Sequence, residues 1–219
     1  VVLAHLFLTL TDVEVSLAHC NFQLRGKESD LDEAFVKKLA NEMNIPFFNI
    51  SFNTNEHSKS HKTSIQVAAR ELRYEWFEKI RQENEFDHII TAHNKNDVLE
   101  TFLFNLTRGS GLDGFTGIPE INGYIVRPLL RFTRVAIEEF ARKNNVLWRE
   151  DKSNASTKYA RNKIRHNIIP VLQELNPSLL DTFDKTLENL QKSKQIINDS
   201  IEIFRHEIES IENGIQRFD

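Results

Sequence analysis

The 219-residue chain contains one cysteine, one methionine, five prolines and seven glycines. With Cys20 alone it can build no internal disulfide and no cysteine-based metal or iron–sulfur site. That fits a reducing cytoplasm, although a lone cysteine is also simply a small buried hydrophobe. No stretch approaches 20 consecutive apolar residues and the mean hydropathy is −0.44, which argues against a membrane-spanning helix. Positive charge is not in excess: 28 Lys+Arg face 32 Asp+Glu, a net of −4. A generic nucleic-acid coat needs bulk positive charge and is therefore not indicated. The opening VVLAHLFLTL has no initiating Met, basic leader or small-residue cleavage site. It reads as a helix already under way, so the chain is expected to begin inside a domain.

What is present is a core-forming composition, 40% hydrophobic with 16 Phe, at a length suited to one large domain with a helical appendage. The charge is unevenly placed. Residues 1–126 carry 12 positive and 18 negative side chains, a net of −6. Residues 127–166 carry 11 and 4, a net of +7, and residues 167–219 carry 5 and 10, a net of −5. One basic stretch in an acidic chain points to a polyanion bound in one place, or to a solvated charged face.

Along the chain, Val13–Ala18 and Pro46–Phe52 read as strands and His88–Ala92 as a fully buried one. Helical spacing covers Asp30–Met43, with Leu31, Ala34, Phe35, Leu39 and Met43 on one side. It also covers Ser64–Gln82, Asp97–Thr107 and Arg134–Lys143, and a basic helix runs near Ala160–Leu175. Asn53–Lys62 is polar and reads as a mobile loop. Strands alternating with helices predict βαβ units on a parallel sheet, with ligands bound where the strand ends meet. Four of the seven glycines fall in RGSGLDGFTGIPE (108–120), a helix cap with turns and a pliable loop. From Ser178 onward the pattern is helical, after a boundary at Asn176-Pro177. The predicted fold class is α/β, with residues 1–176 as one domain and 177–219 as a helical linker or the start of a second domain.

Several clusters could carry chemistry. In TAHNKNDVLET (91–101) a strand ends near His93, and Asp97 and Glu100 share a helix face three residues apart. Such acids can hold Mg²⁺ or an ammonium group, or simply oppose the helix macrodipole. Arg70 and Arg73 sit in AARELRY (68–74), where an inward arginine could clamp a phosphate. Arg161 and Arg165 lie one turn apart in KYARNKIRH (158–166), a spacing suited to two phosphates. His19-Cys20-Asn21 ends the first strand, where a base or ribose would lie.

Taken in order, these segments resemble the N-terminal catalytic domain of the tRNA(Ile)-lysidine synthase family, within the N-type ATP pyrophosphatases. The matching stretches are AHCNFQLRGKESDLDEAFVKKLA (18–40), SIQVAARELRYEWF (64–77), TAHNKNDVLETFLFNLTRGSGLDGFTGIP (91–119), RPLLRFTR (127–134) and WREDKSNASTKYARNKIRHNIIPVLQELNPS (148–178). The resemblance implies an adenine-nucleotide alpha-hydrolase-like (Rossmann-like) fold and a cytoplasmic enzyme with ATP as co-substrate and Mg²⁺. It implies adenylation of carbon-2 of the wobble cytidine in a CAU-anticodon tRNA(Ile), followed by attack of the L-lysine amine to give lysidine. No membrane is involved, and a homodimer is compatible. By the same resemblance, Asp97 and Glu100 hold Mg²⁺ or the lysine. His93, Arg73, Arg161 and Arg165 surround cytidine and phosphates, and Ala18, His19 and Asn21 lie by the adenosine. The family's SGGxDS loop, expected just ahead of Val1, is not in the sequence, so this chain is expected to bind ATP poorly. The family also has two adjacent acids where this chain has Asn96-Asp97, and a His in place of Phe22. Another tRNA-modifying pyrophosphatase and a non-catalytic RNA-binding module are the alternatives. The single cysteine argues against a thiolating relative.

Overall fold

The computed structural model describes residues 1–150, 160–212 and 215–218. The chain divides into two compact units, Val1–Ala92 with Ile121–Asp151, and His93–Glu120 with Lys152–Asp219.

In the first unit, helix α1 (Val2–Phe7) precedes strand β1 (Leu17–Asn21), which pairs in parallel with β2 (Phe47–Ser51). The strand expected over Val13–Ala18 thus lies later. Val13 is largely exposed, and Leu17 is the first residue to donate its N–H to β2's end, at Pro46 (2.9 Å). Pairing, not branched composition, sets the boundary. Helix α2 (Lys27–Met43) joins the two strands and carries Glu28 and Asp30 in its first turn, where they oppose the helix dipole. Leu39 and Ala40 are buried, but Leu31, expected on the inner face, is exposed.

The mobile loop expected at Asn53–Lys62 is instead a helix, α3 (Thr54–Ser60). Side-chain caps hold it in place of apolar periodicity. Asn53 accepts from the Glu56 N–H, and buried Thr54 donates to the Phe22 carbonyl (2.9 Å). Helix α4 (Ile65–Glu83) starts at Ser64, whose hydroxyl accepts from the Val67 N–H, and it buries Ala68 and Ile80. Strand β3 is only Ile89–Ile90, half-buried rather than fully buried as expected. It pairs in parallel with β5 (Ile125–Val126), which pairs antiparallel with β4 (Ile121–Asn122). That hairpin, not anticipated, turns through Gly123 at φ +58°. Helix α7 (Arg134–Lys143), capped by Thr133, closes the unit and buries Ala141. The parallel β1–β2 and β3–β5 pairs are the α/β arrangement expected.

The second unit is built on α5 (Lys95–Leu106) and the short α6 (Leu112–Phe115). These are followed by α8 (Ala160–Lys163), a π-helical turn over Ile164–Ile168, α9 (Ile169–Leu175) and the long α10 (Leu179–Ile208). Val98, Leu99, Ile164, Ile169 and Phe183 form its core, with Phe183 edge-on to Phe102 at 5.2 Å. The helical expectation for the C-terminal stretch ends at Ile208. An antiparallel hairpin, β6 (Glu209–Glu212) and β7 (Ile215–Phe218), follows. Among the described residues no helix is long and apolar enough to cross a membrane.

The glycine segment closes against the same core. Gly117 sits at φ +83°, and a Cβ there would lie 3.0 Å from a Val98 methyl and 3.1 Å from a Leu187 methyl. Gly117→Ala is therefore expected to destabilise the fold by about 1–3 kcal/mol through strain and overpacking. A urea unfolding curve with a lowered midpoint and unchanged slope checks this.

Candidate functional site

The sequence-selected residues fall into two groups, one in each unit. In the second unit, Asn94 opens α5 as a full capping box. Its side chain accepts from the Asn96 and Asp97 N–H groups, and Asp97 Oδ2 accepts from the Asn94 N–H at 2.9 Å. The cap fixes the first turn, and Glu100 follows on the same face with only 3% of its surface exposed. Arg165 comes from the π-helical turn and forks onto Glu100. Its Nε donates to Oε1 at 2.6 Å and its Nη2 to Oε2 at 2.9 Å, while Asp97 Oδ1 lies 3.5 Å from Nη2. Glu100 holds the guanidinium pKa above its ordinary value, against the effect of burial, with Asp97 adding to it. A π-helical turn shifts helix register. Arg161, one turn away, lies over the Phe104 ring at 5.7 Å rather than on an acid.

The structure thus brings Asp97, Glu100 and Arg165 together and sets Arg161 of α8 over the Phe104 ring of α5. Arg165 was expected at phosphates; here it neutralises the acids themselves. This is a two-carboxylate seat for a cation, occupied by a tethered guanidinium. Among the described residues no group of three His, Cys, Asp or Glu could hold a metal ion. His93 is half-buried just ahead of α5. Lys158 and Tyr159, and the whole of residues 151–159 within the 148–178 motif, lie outside the described residues.

In the first unit, Asn21 ends β1 almost fully buried. Its amide donates to Asp30 (3.1 Å) and Glu33 (2.9 Å), and its carbonyl oxygen accepts from the Gln23 N–H (3.0 Å). These bonds spend the Asn21 side chain on the β1–α2 corner. His19 is half-buried, and burial lowers its pKa despite nearby Glu33 and Asp32, which leaves a neutral imidazole at pH 7. Ala18 is exposed. Arg73 lies over the Phe22 ring at 5.0 Å, and Phe22 stacks on Phe52. Phe22 is thus a face for an arginine.

Burial pushes the Cys20 thiol up to about 11, only partly offset by Arg73. At pH 8 its alkylation by iodoacetamide is expected to be about 100-fold slower than that of a free cysteine, because the thiolate is the nucleophile. As Cys20 is the only cysteine, mass spectrometry of the native protein reads this directly.

Sequence reasoning missed two ion clusters. Lys95, buried on α5, reaches Asp184 at 2.6 Å and Asp181 at 3.3 Å on α10. Burial opposes the Lys95 charge, but the two aspartates raise its pKa above the lysine range. Arg149 joins Glu28, and Asp32 at 2.8 Å, while Arg25 also holds Asp32 at 2.7 Å. Glu28 and Asp32 stand at helical i, i+4 spacing, the one local sign of the second cluster. The partners of both clusters are far apart in sequence.

Comparison with known proteins adds the following. The PP-loop domain family (ATP_bind_3) matches residues 1–172. The chain is 45% identical over 179 residues to a tRNA(Ile)-lysidine synthase of Porphyromonas gingivalis (strain ATCC BAA-308 / W83), covering 81% of this chain and 39% of that one. It is 43% identical over 185 residues to the tRNA(Ile)-lysidine synthase of Bacteroides thetaiotaomicron, covering 84% and 43%. The corresponding protein of Chlorobaculum tepidum is 43% identical over 185 residues, covering 81% and 56%. The chain therefore spans roughly two-fifths to just over half the length of these curated relatives. The U34-tRNA thiolase NcsA from Methanococcus maripaludis, solved with its [4Fe-4S] cluster, shares the fold. It superposes with a TM-score of 0.66 at 15% identity, covering 85% of this chain and 67% of NcsA.

Proposed function

We propose a function from one premise, that the chain belongs to the PP-loop domain family: it is the catalytic part of a tRNA(Ile)-lysidine synthase. The reaction would consume ATP and join L-lysine to carbon-2 of the wobble cytidine of a CAU-anticodon tRNA(Ile). The cytidine oxygen attacks the α-phosphorus and pyrophosphate leaves. The lysine amine then attacks carbon-2, AMP departs, and the amine proton passes to a base. Residues 1–176 would be the catalytic domain and 177–219 the linker or start of a second domain, a reading supported by the family match ending at residue 172. The setting is the cytoplasm, with a homodimer compatible.

The observation that carries this reading is the Asp97–Glu100 seat filled by the Arg165 guanidinium. A site that holds one organic cation by two carboxylates suits a second one, the substrate ammonium, and a carboxylate there can take up a proton. Arg165, released from Glu100, would meet phosphate oxygens together with Arg161. In the second unit, His93 would be a base-side residue; in the first, Arg73 on the Phe22 ring would meet cytidine or phosphate, and neutral His19 would face the adenosine beside Ala18 and Asn21. Mg²⁺ would supply charge neutralisation at the ATP phosphates. With Arg165 released, Asp97 and Glu100 would offer carboxylate oxygens to the lysine ammonium or to Mg²⁺.

Thiolation is not supported, since one weakly acidic cysteine cannot supply the thiolates of an iron–sulfur cluster. The test is transfer of radiolabelled lysine to CAU-anticodon tRNA(Ile), using protein with an SGGxDS segment ahead of Val1. ATP-dependent incorporation is expected. No incorporation with ATP and Mg²⁺ overturns the reading, and ATP–pyrophosphate exchange driven by another substrate would move it to another tRNA-modifying member of the family.

A further inference from the structure

One hydroxyl in the second unit stands outside the hydrogen bonding of its own helix. Serine and threonine inside a helix commonly donate to a backbone carbonyl three or four residues earlier. On α10 they do so, Thr186 to Thr182 (3.2 Å), Ser193 to Asn189 (2.9 Å) and Ser200 to Ile196 (2.8 Å). Thr101 of α5 does not. Its Oγ1 is shielded from water and, among the described residues, has no hydrogen-bond partner. A buried hydroxyl left in that state destabilises the fold, so its retention asks for a reason outside the helix.

Its place on α5 ties it to the acid seat. Thr101 directly follows Glu100 and stands one turn beyond Asp97. Side chains four apart lie one above the other and lean toward the helix N-terminus, which carries the Thr101 hydroxyl toward Asp97. Arg165 meets this row at Asp97 and Arg161 meets it at Phe104, so Thr101 lies between the two arginine contacts. Arg165 engages both Glu100 oxygens and approaches Asp97 Oδ1, yet Thr101 Oγ1 stays without a donor. A guanidinium holds its donors in one plane, as a fork matched to a carboxylate. The seat therefore has one acceptor more than the fork uses.

We propose that Thr101 is a specificity-determining residue, the third acceptor of a seat that selects the side-chain ammonium of lysine over a guanidinium. This rests on the ligase reading of the same site. An ammonium carries three N–H donors that diverge from one nitrogen. With Arg165 released, Asp97 Oδ1, a Glu100 oxygen and Thr101 Oγ1 take one donor each. The carboxylates decide the sign of the ligand, because an anion set against the hydroxyl would face two negative charges. The hydroxyl keeps acceptor lone pairs whichever way its proton turns, so it serves without ionising.

The experiment compares Thr101→Val and Thr101→Ser in the protein used for the lysine-transfer assay. Thr101→Val keeps the shape and removes the acceptor. It is expected to raise the KM for lysine by about 10- to 100-fold, the range of a lost hydrogen bond to a charged group, with kcat close to wild type. Its Tm should rise, by about 2–4 °C for a chain of this size, because an unpartnered buried hydroxyl becomes a methyl. Thr101→Ser restores the acceptor and should return the KM to near the wild-type value. A hydroxyl that only supports the fold would give the reverse pattern, a lower Tm in Thr101→Val with the lysine KM unmoved. An unchanged KM in Thr101→Val, a Tm below wild type there, or a serine variant as weak as the valine one overturns the proposal while wild-type transfer keeps the ligase reading. Wild-type protein that transfers no lysine overturns both, so the two failures are told apart.

Discussion

In protein carrying the SGGxDS segment, Asp97→Asn is expected to reduce the proposed lysine transfer by about 10²- to 10⁴-fold, the range of a lost carboxylate in proton transfer, with the melting temperature close to wild type. The choice of asparagine matters because Asp97 has two duties. One oxygen closes the capping box on the Asn94 N–H, and the other faces Arg165. An asparagine carbonyl can still accept from Asn94, so the cap survives while the charge is lost. Asp97→Ala loses both, and should lower stability by about 0.5–2 kcal/mol in addition to the same loss of turnover. The comparison separates a carboxylate that acts on substrate from one that only starts a helix. Wild-type turnover in Asp97→Asn would remove the acid from the reaction.

The helices were legible where apolar residues recur at helical spacing. Arg134–Lys143 is matched to the residue, and α2, α4 and α5 to within a few residues. Strand edges were not, because β1 ends where β2 stops pairing, and nothing inside VEVSLA encodes the position of Pro46. The polar helix α3 has no apolar period to read. Its signal was the Asn53…Glu56 cap pattern, passed over in favour of composition. The β4–β5 hairpin carries an Asn-Gly dipeptide at 122–123, and the β6–β7 strands are hidden by isoleucines that also fit a helix. In the site, the acids and arginines were recognisable as chemistry, but their pairing was not. Glu100 and Arg165 are 65 residues apart, and the π-helical turn that aims Arg165 leaves no mark in a pattern of 3.6-residue repeats. Lys95 was passed over for the same reason, since its partners lie 86 residues or more downstream on α10.

The Arg165–Glu100 pair should respond to single and double substitution in opposite senses for stability and for activity. Glu100 is almost fully buried, whereas about a quarter of the Arg165 side chain meets water. Arg165→Met leaves a buried carboxylate without its partner. The expected cost is about 2–4 kcal/mol, somewhat below that of breaking a fully buried pair. Glu100→Gln removes the acceptor charge instead and should stop lysine transfer outright. Combining the two leaves no unpaired charge, so the double variant should recover most of the lost stability while remaining inactive. ATP binding should change little in all three, and tRNA binding in Arg165→Met should show a salt slope shallower by about one phosphate contact. A double variant that regains turnover would make the pair a structural clamp.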